Sequence, residues 1–183
     1  MIITITGKPC SGKGSVGKLF CKKFGFEFLS TGDMIRKIST DLGYASILEA
    51  QKSKDIKKID DLVDNNTIEI GKKRLHDDLL IDSRLAWHFI PNSFKVFIDV
   101  DANIAAKRLL LAERETEKAK TLTEAKKLLV ERWKTENARY KKIYGIDNLH
   151  KSNYNLVISS SNKTVEEIVE LIHTAYINFM QNA

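Results

Sequence analysis

The first fifteen residues contain the groups most suited to chemistry. The segment from Gly7 to Ser15 is rich in glycine, and Lys13 directly follows Gly12. Glycines let a backbone wrap closely around a polyphosphate, while backbone N–H groups and a helix N-terminus favour its negative charge. A lysine at this position can reach the β- and γ-phosphates of ATP. The predicted ATP-binding residues are Gly7, Lys8, Pro9, Cys10, Ser11, Gly12, Lys13, Gly14 and Ser15.

The hydroxyl that such a loop offers to a metal ion is displaced by one residue. In the general pattern Ser or Thr follows the lysine, but here Gly14 follows it and the hydroxyl comes at Ser15. Because Mg²⁺ takes oxygen ligands and accompanies nucleotide phosphates, Ser15 is predicted to be its hydroxyl ligand. Cys10 lies inside the loop and is interpreted as a small residue tolerated in a tight turn rather than as a redox switch.

Arginine is scarce in this lysine-rich chain, which makes each arginine informative. The 30 basic residues comprise 23 lysines and 7 arginines. A guanidinium binds two phosphate oxygens at once, whereas a lysine offers a point charge. All the arginines except Arg74 are expected near the rim of a site. They are Arg36, Arg84, Arg108, Arg114, Arg132 and Arg139.

Alternating strands and helices must position the loop and these arginines. Five apolar runs predict strands at residues 2–6, 26–29, 79–81, 95–99 and 156–159. Apolar residues at helical spacing predict helices at about 13–24, 31–40, within 46–74, from 101 to about 114, from 121 to just before Gly145, and from 164 onward. Thr121 with Glu124 and Thr164 with Glu167 predict capping boxes at the last two helices. This order favours an α/β fold with a parallel sheet covered on both faces, whose active site lies beyond the carboxyl ends of the strands.

Size and composition favour an ordinary globular domain. The chain has 183 residues, of which 43% are hydrophobic and 30% charged. No apolar stretch is long enough to span a membrane and the sequence does not open as a signal peptide, so the cytoplasm is predicted. The net charge of +6 comes from scattered lysine pairs with acids between them, which favours a solvated surface over a nucleic-acid-binding arm. Two cysteines give no disulfide framework, and a monomer is expected.

Three further segments resemble nucleoside monophosphate kinases, and in particular cytidylate kinases of the short type. Residues 30–36 look like the monophosphate-binding turn of that family. Residues 81–86, followed by 94–99, resemble the region in which an acid–small–arginine triplet grips the acceptor phosphate. Residues 131–147 look like the helix that returns from the lid, and the likeness runs from residue 1 to about 172. The departures are Ser83 in place of a common glycine, Leu85 in place of an acid, and Ser159 in place of an aspartate.

The resemblance implies a three-layer P-loop fold with a five-stranded parallel sheet and a single kinase domain over residues 1–183. It implies a monophosphate-binding helical segment at about 37–75 and a lid at about 114–123, with ATP and Mg²⁺ as cofactors and CMP or dCMP as the acceptor. Lys13, Arg132 and Arg139 would be catalytic, the two arginines closing over the transferring phosphoryl group. The residues that would bind the acceptor are Gly32, Asp33, Arg36, Asp82 and Arg84.

Asp33 and Asp82 each retain two interpretations. They would organise Mg²⁺ through water or orient the arginines, with Asp33 and Ser15 as candidate metal ligands, or they would be ordinary helix-cap or turn acids. Arg132 and Arg139 could likewise form solvated ion pairs with neighbouring glutamates instead of acting on phosphate.

The reaction class has a physical argument of its own. An acceptor phosphate is already an anionic nucleophile, so transfer to it needs positioning and charge neutralisation rather than a strong base. The four histidines lie outside the motifs. The alternatives are another acceptor (AMP, UMP or a hydroxyl compound such as shikimate, for which Asp33 would be the base) or a regulatory nucleotide-binding ATPase. Small-molecule nucleotides are the expected partners, with neither nucleic acid nor membrane.

Overall fold

The computed structural model describes residues 1–45, 49–50, 53–111 and 119–182. The strands are β1 (Ile3–Gly7), β2 (Glu27–Ser30), β3 (Leu79–Asp82), β4 (Phe94–Asp99) and β5 (Leu156–Ser159). The helices are α1 (Lys13–Phe24), α2 (Thr31–Asp41), α3 (Ile56–Lys73), α4 (Ala86–Phe89), α5 (Ala102–Leu111), α6 (Leu122–Tyr144) and α7 (Val165–Gln181), with a 3₁₀ turn at Lys151–Asn153.

The five strands form one sheet in the order β2-β3-β1-β4-β5, and every pairing is parallel. Ser30 pairs with Asp82, and Ile5 pairs with Asp82 from the other side. Asp99 pairs with Ser159 at the far edge. The strands therefore end at a common edge, and the predicted α/β fold with a five-stranded parallel sheet is confirmed.

Helices cover both faces of the sheet, as the apolar strands require. On one face Ile3 and Ile5 pack with Phe20 of α1 and Ile172 of α7 in the largest core cluster. On the other face Ile2, Leu79 and Ile81 pack with Ile90, just after α4. A separate cluster joins α5 to α6 and fixes the long helix against the body of the sheet.

Helix ends follow the predicted signals closely. Gly25 and Gly145 end α1 and α6 with φ angles of 77° and 71°, a left-handed conformation that glycine adopts without strain. Thr164 and Glu167 form the predicted capping box at α7. The box predicted at α6 is only half formed: Thr121 accepts from the Glu124 N–H, but the Glu124 carboxylate accepts from the N–H of Lys120.

Two helices and the lid segment remain to be compared with the sequence predictions. The helix predicted within residues 46–74 is described from Ile56 to Lys73. The short helix α4 was not predicted, because four residues are too few to show a period. Of the lid expected at about 114–123, residues 114–118 lie outside the described part of the chain, and residues 119–123 lead into α6. No helix in the described part is long and apolar enough to cross a bilayer.

Candidate active site

The predicted phosphate loop connects β1 to α1 at the centre of the sheet edge. Gly7 has a φ of 150°, and a Cβ there would lie 2.1 Å from the carbonyl oxygen of Ile98 on β4. Gly12 and Cys10 also have positive φ angles, of 89° and 59°. The glycine at position 7 is thus required by a close approach of two strands, and the loop turns back tightly before α1 begins.

Lys13 lies at the first turn of α1, with its ammonium folded back over the loop. Its Nζ donates to the carbonyl oxygens of Gly7 at 3.1 Å and Lys8 at 3.2 Å. Burial lowers the pKa of Lys13 to about 8, and the nearby Arg84 adds to this effect. Asp82 and Glu136 oppose it by stabilising the ammonium. Lys13 is therefore a cation held in a partly desolvated place, where an anionic ligand interacts strongly.

A cleft of about 590 Å³ opens beside this loop, a size common for small-molecule sites. The loop and the start of α1 form one wall, α2 and α3 form the opposite side, and the end of β3 with α6 completes it. The sequence-predicted residues that line it are Pro9, Cys10, Ser11, Gly12, Lys13, Gly14, Ser15, Gly32, Asp33, Arg36, Asp82, Arg84, Arg132 and Arg139.

Gly7 and Lys8 do not line this cleft, although both were predicted to bind ATP. Lys8 directs its ammonium to the Asp99 carboxylate, 2.7 Å away, and over the ring of Trp133. Both residues instead contribute their carbonyl groups, which accept from Lys13. The backbone atoms of Gly7 and Lys8 thus position the Lys13 ammonium.

Asp33 and Arg36 form an ion pair at the mouth of the cleft. The Arg36 guanidinium donates to the Asp33 carboxylate one helical turn earlier, and both side chains are well exposed. The N-cap of α2 is Ser30, whose hydroxyl accepts from the Asp33 N–H. Ser30 rather than Asp33 therefore caps α2, and Asp33 is an acid of its first turn. The ion pair fits the interpretation that Asp33 orients an arginine, and its role as a metal ligand stays a prediction.

Arg84 and Arg132 are joined by one carboxylate. Glu136 accepts from Arg84 Nε at 2.6 Å and from Arg132 Nε at 3.1 Å. Arg84 follows β3, whereas Arg132 and Glu136 lie on α6, so this bridge fixes the helix to the sheet edge. Sequence spacing suggests the Arg132–Glu136 pair at i, i+4. Nothing in the sequence indicates the bond from Arg84, 52 residues away.

Arg139 lies on a different wall from Lys13. Its Nη1 donates to Asp60 Oδ2 of α3 at 3.0 Å. One turn further along α3, the Asp64 carboxylate accepts from the Tyr144 hydroxyl. Burial raises the pKa of both aspartates above the usual range. Sequence analysis did not single out Asp60 or Asp64, because α3 is a polar helix whose buried face depends on the fold around it.

Asp82 supplies a carboxylate beside the phosphate loop. Its Oδ2 would lie 3.6 Å from a Cβ at Gly14, which places it against the start of α1. Burial raises its pKa, and Lys13 and Arg84 oppose the shift. Among the described residues no group of three or more His, Cys, Asp or Glu side chains could hold a metal ion alone. A nucleotide-bound Mg²⁺ needs only one or two protein oxygens besides phosphate and water, and Asp82 with the exposed Ser15 fits that need.

Arg108 connects the phosphate loop to the end of β5. Its guanidinium donates to the Cys10 carbonyl at 3.2 Å and to the Ser160 hydroxyl and carbonyl at 2.9 and 2.7 Å. It therefore supports the loop from behind rather than lining the cleft. Arg114, predicted near the same rim, lies outside the described residues.

Comparison with known proteins gives relatives of two kinds. The chain is 32% identical over 173 residues to a cytidylate kinase of Archaeoglobus fulgidus, covering 94% of this chain and 92% of that protein. It is 27% identical over 180 residues to a cytidylate kinase of Sulfurisphaera tokodaii, covering 98% and 97%. It is also 33% identical over 176 residues to an S-adenosylmethionine-dependent nucleotide dehydratase of Lacinutrix mariniflava. That match covers 95% of this chain but 35% of the dehydratase, so the chain spans about a third of that relative.

Solved structures share the fold at low sequence identity. A shikimate kinase from Aquifex aeolicus superposes with a TM-score of 0.66 at 21% identity, with both chains fully covered. An uncharacterized protein from Eubacterium ventriosum gives a TM-score of 0.71 at 19% identity, covering 97% of this chain and 98% of that one. At these identities the likeness supports the fold alone.

A family model decides the relationship. The model described as the cytidylate kinase-like family matches residues 2–162, a range that contains the phosphate loop, Arg84 and the whole of α6. Together with the full-length match to the kinase of Archaeoglobus fulgidus, this range shows that the chain belongs to the cytidylate kinase-like family and is a nucleoside monophosphate kinase of that family.

Proposed function

We propose that this protein transfers the γ-phosphoryl group of MgATP to CMP or dCMP, giving ADP and CDP or dCDP. The observation that carries the proposal is the distribution of cations in one cleft. Lys13 and the phosphate loop line one part of the cleft, while Arg36 of α2 and Arg84, just after β3, line another. Two phosphate groups that meet head-on repel each other, and cations on both sides offset that repulsion.

The donor end is assigned to the phosphate loop. Backbone groups of residues 9–15 and the Lys13 ammonium would hold the ATP phosphates, with the carbonyls of Gly7 and Lys8 positioning Lys13. Asp82 and Ser15 would hold the magnesium ion together with those phosphates. When bound, the ion neutralises charge on the phosphate oxygens. The chain's own residues position the two substrates in line.

The acceptor end is assigned to the arginines beyond β2 and β3. Arg36 and Arg84 would bind the acceptor phosphate, with Asp33 orienting Arg36. A hydroxyl acceptor such as shikimate would need a general base in the cleft. Asp33 is exposed and already paired with Arg36, so it is poorly suited to that role. A phosphate acceptor needs no base, and we favour it for this reason.

The choice of cytosine rests on the relatives. The kinases of Archaeoglobus fulgidus and Sulfurisphaera tokodaii are named cytidylate kinases. The partial match to a nucleotide dehydratase is compatible with a nucleotide-handling role for a related segment inside a larger protein. AMP and UMP are the competing acceptors. We also propose that the protein acts as a monomer on free nucleotides in the cytoplasm, without nucleic acid.

The direct test is ADP release from MgATP with CMP, dCMP, UMP, AMP, GMP or shikimate, against a blank without acceptor. Strong stimulation by CMP and dCMP supports the proposal, and preference for another monophosphate corrects only the base. Stimulation by shikimate alone contradicts the phosphate-acceptor assignment. Hydrolysis that no acceptor stimulates, together with salt-sensitive nucleic-acid binding in a gel shift, would favour the regulatory ATPase instead.

A further inference from the structure

The backbone at Arg84 is held by hydrogen bonds from neighbouring side chains. Its carbonyl oxygen accepts from the Thr6 hydroxyl at 3.3 Å and from the indole Nε1 of Trp87 at 3.1 Å. The hydroxyl of Ser83 accepts from the two main-chain N–H groups that follow Arg84, at 3.2 and 3.1 Å, and closes a tight turn there. The point from which the Arg84 side chain starts is therefore fixed by contacts that do not involve its guanidinium.

The indole of Trp87 connects this backbone to the loop that follows α6. Its Nε1 also donates to Asn148 Oδ1 at 2.6 Å, so Arg84 and Asn148 share one N–H donor. The Tyr154 hydroxyl donates to the carbonyl oxygen of Asn148 at 2.7 Å and lies 3.1 Å from its Oδ1. Trp87, Asn148 and Tyr154 are all buried. A buried network of hydrogen bonds fixes the parts of the chain that it joins.

The same loop is bonded back to α6. The N–H of Asn148 donates to Asn137 Oδ1 at 2.9 Å, and Asn137 Nδ2 donates to Asp147 Oδ1 at 3.1 Å. Asn137 directly follows Glu136, whose carboxylate accepts from Arg84 Nε at 2.6 Å. Two adjacent residues of α6 therefore act on Arg84 from different directions. Glu136 holds the guanidinium, and Asn137 holds the loop that is linked to the Arg84 carbonyl through the indole.

The members of this network other than Arg84 lie outside the substrate cleft. Trp87, Asn137 and Asn148 do not line the cleft of about 590 Å³, so they act on a ligand there only through residues that do. Arg84 lines it. A guanidinium that binds two phosphate oxygens needs accurate placement, since a misplacement of about 1 Å costs up to about 100-fold in rate. The network is suited to supply that accuracy.

We propose that Trp87 is a positioning residue for Arg84, and that Asn137 and Asn148 hold Trp87 in place from the end of α6. The indole N–H fixes the Arg84 carbonyl and so fixes the point from which the guanidinium reaches the acceptor phosphate. This inference rests on the proposed function, because it takes Arg84 to bind that phosphate. It adds a requirement outside the cleft: the junction between α6 and residues 145–149 must be intact for the acceptor to bind well.

Trp87→Phe is the first test. It removes the indole N–H and keeps an aromatic ring in the buried cluster with Phe97 and Tyr154. KM for the preferred monophosphate should rise by about fivefold or more, because Arg84 is no longer held accurately, while KM for MgATP stays within about twofold of wild type. A substitution that only loosened the fold would not separate the two substrates in this way.

Trp133→Phe is the matched control, because it makes the same chemical change at the other tryptophan of the chain. Trp133 Nε1 is buried and has no hydrogen-bond partner among the described residues. Its ring lies under the Lys8 ammonium, a contact that a phenylalanine ring retains. Both KM values should stay within about twofold of wild type.

Two more variants separate positioning from stability. Asn137→Ala removes the acceptor for the Asn148 N–H, but alanine is the better helix former, so α6 itself is not weakened. It should raise the acceptor KM and leave KM for MgATP unchanged, and it decides the test if Trp87→Phe does not fold in a thermal melt. In an Arg84→Ala background, Trp87→Phe should lower kcat/KM for the acceptor by less than about twofold further, because no guanidinium remains to be positioned.

Three results would overturn the inference. They are unchanged kinetics in both Trp87→Phe and Asn137→Ala, an equal rise of the two KM values, and a full further loss in the Arg84→Ala background. The last two would make Trp87 a packing residue. If wild-type protein phosphorylates no monophosphate, the proposed function fails and this inference fails with it. If wild-type protein does so and only the variants disagree, the inference alone fails.

Discussion

Glu136 accepts a 2.6 Å hydrogen bond from Nε of Arg84, which joins α6 to the carboxyl end of β3. The same carboxylate accepts from Arg132 one turn earlier on the helix. Both arginines are thus bound through Nε to one anion, and Glu136 also stabilises the buried ammonium of Lys13. One carboxylate therefore holds two arginines of the cleft together and stabilises the charge of a third cation.

Replacing Glu136 by Gln should disturb both arginines together. The glutamine removes the charge that Arg84 and Arg132 share but keeps the size of the side chain. Hydrogen bonds to charged groups contribute about 1.5–3 kcal/mol each, so we expect kcat/KM for the acceptor to fall by about tenfold or more. Steady-state kinetics with the preferred monophosphate checks this.

Glu131→Gln is the matched control for Glu136→Gln. Glu131 lies on the same helix, is exposed, and pairs only loosely with Lys127 at 4.0 Å. An exposed pair at this spacing contributes little. Its kinetics should match wild type. Equal behaviour of the two variants would show that the Arg84–Glu136–Arg132 bridge does not matter to the reaction.

Arg84→Lys tests the acceptor assignment. A lysine keeps the positive charge but cannot offer two parallel N–H donors to a phosphate. We expect KM for the acceptor monophosphate to rise and KM for MgATP to change little. A variant indistinguishable from wild type in both kcat and KM would show that Arg84 does not hold the acceptor.

Lys13 predicts a pH dependence of ATP binding. Its pKa of about 8 means that the ammonium is lost in ligand-free protein as the pH rises through that value. Only the ammonium attracts phosphate, so affinity for MgATP should be constant below about pH 8 and decline above it. Calorimetric titrations from about pH 7 to about pH 10 measure this decline, and Lys13→Ala should bind weakly with no such step. A flat wild-type profile over that range would contradict the depressed pKa.

The same shift has a consequence for stability. The pKa of Lys13 is about 8 in the folded protein and 10.5 as a model value. Between these values the unfolded chain binds more protons, so the contribution of Lys13 makes the folded state more stable as the pH rises. Lys13→Met should therefore have a larger free energy of unfolding than wild type near neutral pH, and this difference should shrink towards pH 10.5. Urea unfolding at several pH values measures this difference in free energy of unfolding. A difference that grows with pH would contradict the lowered pKa of Lys13.

The parts of this molecule that the sequence predicts are local ones. About two dozen consecutive residues encode the β1–loop–α1 unit through an apolar run, glycines and apolar residues at helical spacing. The structure has α1 from Lys13 to Phe24, as predicted. The last strand and the α7 capping box are local in the same sense. The alternation of five apolar runs with helices also predicts the parallel sheet, which the strand pairings confirm.

The parts that the sequence does not predict depend on contacts between distant residues. Asp60 and Arg139 are 79 residues apart, and each lies on a helix whose polar residues look solvated in isolation. Their pairing exists because the fold brings α3 and α6 next to each other at the cleft. The role of Lys8 changed for a similar reason, since Asp99 at the end of β4 attracts its ammonium away from the cleft.

Arg108 should affect ATP and leave the acceptor alone. Arg108→Ala removes the donors to Cys10 and Ser160 and leaves the hydroxyl and carbonyl of Ser160 without those partners. An unsatisfied buried acceptor costs about 1–3 kcal/mol, and here the cost loosens the loop from behind. KM for MgATP should rise by about fivefold or more while KM for the acceptor changes little. Lys107→Ala is the control: the residue lies on the exposed side of the same helix, so this variant should behave as wild type. An equal rise in both KM values for Arg108→Ala would contradict the prediction, because it would mean that the substitution reshapes the whole cleft.

Gly7→Ala separates a steric requirement from backbone strain. A Cβ at position 7 would lie 2.1 Å from the Ile98 carbonyl oxygen, so β1 and β4 would have to move apart. Gly25→Ala adds a Cβ at a positive φ of 77° but meets nothing within 4 Å. Strain alone costs about 1–2 kcal/mol, whereas a shift of two central strands adds lost packing and pairing. Gly7→Ala should therefore lose clearly more unfolding free energy than Gly25→Ala in urea titrations, and equal losses would mean that the strands can move apart at little cost.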